Sequence, residues 1–226
     1  SCAASPVDRS RASYCDFIGE QATSRCLLPF PDDYYTVADP DSATGRMIDL
    51  HTKGMPDNAV GKHIDAAPYL GNDGFSPGQT ILVRVPGLDN PAALAQTDAA
   101  PINHIGRYAE SGQPVVVIDA ATGERQPIWT EIDSNATSAG STVLEIHPAV
   151  NFASGHRYIV ALRDLKRSDG SVIDAPAGFR YYRDELSSDE GVINNRRDHF
   201  EGLFDKLRDA GIERSNLYLA WDFTVA

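Results

Sequence analysis

Short apolar runs recur along this chain, each closed by a turn, and that rhythm limits the fold more than any other feature. Ile81, Val83 and Val85 alternate within 79–85 and stop at Pro86-Gly87. Val115, Val116, Val117 and Ile118 form a continuous run, as expected of a strand buried on both faces. Further runs cover 127–132, 143–146, 158–162, 179–182 and 217–224, the last with Leu217, Leu219, Trp221 and Phe223 on one face. Seven strands with turn residues between them predict a mainly β chain built as a sandwich, not a βαβ fold. The loop at 119–123 predicts a hairpin joining 115–118 to 127–132, and 148–155 predicts a second joining 143–146 to 158–162.

One amphipathic helix is expected over about 189–210, capped by Ser188 or Asp189. Val192, Phe200, Leu203, Phe204 and Leu207 recur near helical spacing there, and Gly211 ends it. A shorter helix is expected near 91–96. Residues 27–76 are rich in Pro, Gly and Asp yet carry Leu28, Phe30, Tyr34, Tyr35, Met47, Ile48 and Leu50. That mixture predicts an extended irregular segment lying against a scaffold, within one domain spanning 27–226. Residues 1–26 read as a polar arm.

All three cysteines fall in that arm. Cys15 and Cys26 are expected to pair, pinning it; closing a loop of this size is worth about 3 kcal/mol in the chain-entropy model. A disulfide implies an oxidising compartment, extracellular or at the cell surface. Cys2 then becomes a candidate lipid anchor of an exported bacterial protein. Zinc spacing is absent around the cysteines.

Charge excludes several functions. With 20 Lys+Arg against 32 Asp+Glu, the net charge of −12 argues against a nucleic-acid binder, which needs clustered cations for phosphates. No apolar run approaches the roughly 20 residues of a membrane-spanning helix. Gly74-Phe75-Ser76-Pro77-Gly78 fits the G-x-S-x-G nucleophile elbow, but irregular sequence precedes it and a strand follows. Pro77 also lacks the N–H that the elbow aims at an oxyanion, so the motif reads as a turn. His51, His63, His104, His147, His156 and His199 show no H-x-H or H-E-x-x-H spacing, although His147 and His156 bracket an expected hairpin. Asp39, Asp41 and Gly45 begin like a calcium loop, yet Ala43, Thr44 and Leu50 occupy positions that need other residues. Asn135-Ala136-Thr137 is a glycosylation sequon. Phe30, Tyr34 and Tyr35, and Tyr181 and Tyr182, could stack on a carbohydrate, but packing is the commoner use. No catalytic, cofactor-binding or metal-binding residue is therefore expected in this chain.

The order of motifs resembles a known family. Pro29-Phe30-Pro31-Asp32-Asp33 resembles the PFPND opening of the N-terminal domain of bacterial extracellular, virulence-factor-type lipases, and Asp73-Gly74-Phe75-Ser76 resembles its DGFS step. The stretches 144–148, 155–162 and 168–170 are similar to a strand–loop–strand found there and in bacterial Ig-like domains. The close, Ala210-Gly211-Ile212 followed by 217–224, is similar to that domain's final FTT strand. The resemblance covers 26–226 and implies an Ig-like sandwich ahead of a catalytic α/β-hydrolase domain of the same polypeptide. The chain would then be a non-catalytic accessory domain of a secreted lipase- or esterase-like protein. A free-standing glycan- or polymer-binding module, or a serine hydrolase using Ser76, are the alternatives.

Overall fold

A computed structural model describes residues 11–20, 26–57, 60 and 62–226. Cys2 lies outside the described residues. Among these residues are eight strands in three small antiparallel sheets. A two-stranded ribbon pairs β1 (Thr36–Ala38) with β2 (Arg46–Ile48). One three-stranded sheet has the order β3 (Ile81–Val83), β6 (Leu144–Pro148), β5 (Ile128–Ile132). The other has the order β4 (Val115–Asp119), β7 (Arg157–Arg163), β8 (Leu217–Thr224). Every residue of β8 is buried, and β4 and β7 nearly match it, so this sheet is covered on both faces. In β3, β5 and β6, by contrast, buried and accessible residues alternate, leaving one face to solvent.

Both expected hairpins fail, for the same reason: the strands joined by each loop belong to different sheets. Past β4, Asp119 and Val117 do exchange backbone bonds with Glu124 and Gln126. The next residue, Pro127, has no N–H to continue the ladder, and β5 leaves to pair with β6. After β6, residues 149–156 cross over while Phe152 buries against Tyr158 and Phe223, and β7 pairs with β4 and β8.

The expected strand at 179–182 is instead helix α2 (Ala177–Arg183), which follows α1 (Pro91–Thr97). Phe179 and Tyr182, three apart, share its buried face. Gly178 is required there, since a Cβ would stand 2.0 Å from the carbonyl oxygen of Phe17. The helix expected over 189–210 is broken into α3 (Gly191–Asn194) and α4 (Arg197–Asp209). Neither Ser188 nor Asp189 is its cap; Glu190 precedes α3. The break carries Arg196 inward. Gly211 closes α4 at φ +85°, with Ile212 N–H donating to Leu207 and Gly211 N–H to Arg208, a Schellman ending.

Cys15 and Cys26 are joined by a disulfide with Cα atoms 5.0 Å apart. Next to it the chain is interior: Asp16, Phe17 and Ile18 are all buried. Arg196 grips Asp16 with two bonds of 2.8 and 3.1 Å, while its guanidinium lies over the rings of Phe17, Tyr34 and Phe200. Burial alone would raise Asp16, but Arg196 and surrounding hydrogen bonds bring it below the usual carboxylate range. Asp32 is pushed well up by burial and then by the Asp16 charge. Protonated, it can donate to Asp16 and so satisfy its otherwise unpaired, buried Oδ2.

Residues 30–33 tie the two three-stranded sheets together. Phe30 exchanges backbone bonds with Leu82 of β3 at 2.9 and 2.7 Å. Pro31 O accepts from Trp221 Nε1 at 2.8 Å, and Asp33 accepts from Thr224 N and Oγ1 at 2.9 and 2.7 Å, both on β8.

Asp33 carries a pH-dependent cost. Burial, then the charge of Asp222, raises it to about 6. Its folded value exceeds its unfolded one, so its stabilising contribution is complete below about pH 4 and is lost as pH rises through 6. Asp33→Asn removes that term while keeping an acceptor for Thr224 N–H. The stability of wild type relative to this variant, from urea unfolding, should fall by about 2–3 kcal/mol between pH 4 and 7. A pH-independent difference would contradict the assignment.

Candidate functional site

The solvent face of the β3–β6–β5 sheet holds a set of interacting polar side chains that could act on a ligand. Its register places Trp129 directly across from His147 and Glu131 directly across from Glu145. Because side chains alternate along a strand, all four project to the same face, opposite the buried Ile128, Thr130, Leu144 and Ile146. The imidazole of His147 stacks on Trp129, with centroids 4.0 Å apart and planes inclined by 18°. Its Nδ1 meets Thr80 Oγ1 at 3.2 Å, just ahead of β3. Its Nε2 faces Glu131 Oε1 at 2.9 Å and Glu145 Oε2 at 3.1 Å. Ring stacking on one side and Thr80 at the far nitrogen thus aim one nitrogen at two carboxylates.

Like charges directly opposite each other in a ladder are destabilising by a few tenths to about 1 kcal/mol. The strain registers on Glu145, which is raised by burial and next by hydrogen bonding to Glu131, with His147 acting in the opposite sense. Among the described residues, these three are the group whose ligand atoms gather within 4.8 Å of one another.

The residues singled out in the sequence lie elsewhere and do not converge. Ser76 is exposed in a turn that it helps close: its Oγ accepts from Gly78 N–H at 3.4 Å and its carbonyl from Gln79 at 3.0 Å. Before it, Phe75 exchanges backbone bonds with Thr224 and Ala226 at 2.8 and 2.9 Å. Gly74 is pressed so closely to the closing strand that a Cβ would meet Ala226 N at 2.6 Å. His156 pairs with Asp119 at 2.6 Å in the other sheet from His147, so the two do not face each other. His199 holds Asp222 at 2.8 Å alongside Arg157, and His63 meets Asp57 at 2.9 Å. His51 and His104 are exposed.

The acidic turn at 39–45 is the β1–β2 connection, where Asp39 accepts from Asp41 N–H and Gly45 takes φ +79°. Asn135 is exposed in the loop after β5. Tyr35 and Tyr182 are interior, Phe30 packs edge-on to Phe75, and Tyr34 lies under Arg196, so these aromatics are engaged in packing. A groove of 610 Å³ lies between α1 and the start of β4, but its Arg107 is already bound by Asp98 and Glu110.

Comparison with known proteins finds no family model, curated protein or solved structure that matches this chain. The outer-face group was missed because Trp129-x-Glu131 and Glu145-x-His147 are each ordinary strand alternation. Only the pairing of β5 with β6 brings them together, and the expected hairpins assigned those strands other partners.

Replacing Glu131 by Gln should bring the Glu145 carboxyl part of the way back toward its ordinary value, as followed by ¹³C carboxyl NMR. An unchanged Glu145 titration would show that the two carboxylates are not in contact.

Proposed function

We propose that this chain is a non-catalytic, Ig-like β-sandwich accessory domain of an exported or surface-anchored bacterial lipase- or esterase-like hydrolase. In this reading the two three-stranded sheets form the sandwich, and the domain supports or orients a catalytic α/β-hydrolase domain of the same polypeptide. The observation that carries it is the use made of the DGFS-like step. Gly74, Phe75 and Ser76 dock the entry of β3 onto the end of β8, and the serine oxygen accepts from Gly78 N–H within its own turn. An elbow serine would instead be presented between a strand and a helix. The PFPND-like stretch has a comparable architectural use, since residues 30–33 bind both sheets.

The Cys15–Cys26 disulfide supports an oxidising compartment, and Cys2 is the candidate anchor. No helix among the described residues is long and apolar enough to cross a membrane.

The experiment is hydrolysis of a short-chain nitrophenyl ester by wild type and Ser76→Ala. No turnover above buffer is expected from either, and unfolding free energies should agree within about 0.5 kcal/mol. Hydrolysis that Ser76→Ala abolishes would overturn the reading and make the chain itself a serine hydrolase.

A further inference from the structure

We propose that Glu131, Glu145 and His147 form a binding site for a divalent transition-metal cation of the zinc class on the outer face of the β3–β6–β5 sheet. The inference is independent of the accessory-domain reading.

Two glutamates stand directly opposite each other in the ladder, and the imidazole of His147 is the side chain that meets both. A divalent cation would neutralise both carboxylates together and leave the imidazole uncharged as a ligand.

His147 Nε2 lies 2.9 and 3.1 Å from the two nearest carboxylate oxygens. Ligands about 2.1 Å from a tetrahedral zinc are about 3.4 Å from each other, so small side-chain rotations open the space required. The ligands stand on paired strands, which hold their spacing better than a loop does.

Thr80 and Trp129 support the histidine from behind. Metal-bound imidazoles characteristically engage their other nitrogen with an oxygen partner, which fixes the tautomer. Here Thr80 Oγ1 takes that place at 3.2 Å, and Trp129 fixes the ring plane. Thr80 and Trp129 are not ligands, and their arrangement is what turns Nε2 outward between the carboxylates.

The donor set selects the ion. One nitrogen and two carboxylate oxygens suit zinc, whereas calcium takes six to eight oxygens and magnesium an octahedral oxygen shell. Three protein ligands leave a further coordination position for water or for a group from a partner.

Zinc chloride titrated into the chain, followed by calorimetry and tryptophan fluorescence, tests this. Trp129 stacks on the ligand histidine and should report binding, whereas Trp221 is buried with its Nε1 bonded to Pro31 O. The expected result is a saturable one-to-one isotherm with a matching fluorescence change. His147→Ala should abolish it, and Glu131→Gln, Glu145→Gln and Thr80→Val should each weaken it by about tenfold or more. His156→Ala, in the other sheet, should leave it unchanged. Absence of one-to-one binding, equal affinity in the His147 and glutamate variants, or equal affinity for calcium would overturn the proposal.

Discussion

Arg196 holds Asp16 with both terminal nitrogens across 180 residues of chain, and three aromatic rings close around the guanidinium. The pair is expensive to bury, so its attraction only repays desolvation when every remaining polar atom is satisfied. That condition explains the neighbours. Ile18 N–H donates to Asp16 Oδ1 and Asp16 N–H donates to Tyr35 Oη. Losing Arg196 would leave the fully buried Asp16 without its cation. The disulfide, the 34–35 turn, α2 and the junction of α3 with α4 all lie close to this pair.

A second constraint runs through residues 30–33, where backbone and side chain serve different sheets. Phe30 extends β3 edgewise, while Pro31 and Asp33 bond to β8. Asp33 is held beside the buried Asp222, whose own charge is kept by His199 and Arg157. The sheets are thus linked by directed polar bonds as well as by apolar contact. The buried face of β3–β6–β5 lies opposite the accessible one that carries Trp129, Glu131, Glu145 and His147.

Much of the strand content was legible because β4 and the middle of β7 are continuous apolar runs and β8 keeps Leu217, Leu219, Trp221 and Phe223 on one face. Pairing was not legible, since alternation says which face a residue takes and not which strand lies beside it. Pro127 cannot donate to the ladder begun after β4, and Phe152 is buried in the crossing that follows β6. Phe179 and Tyr182 suit a strand by propensity, but their spacing of three equally suits one buried face of a helix, which is the use they have. The Glu131–Glu145–His147 group was hidden by the same gap, because it exists only in the register of β5 against β6. The polar residues of the arm concealed its role, which rests on Asp16 finding Arg196 far along the chain.

That long-range lock is open to direct measurement by native-state hydrogen exchange of the amides of Asp16 and Ile18, in wild type and Arg196→Met. If the pair fixes the fold, both amides exchange with the same opening free energy as the β7–β8 core. In the variant that shared value falls by about 3–5 kcal/mol. Exchange of these two amides through a local opening, unaffected by Arg196, would contradict it.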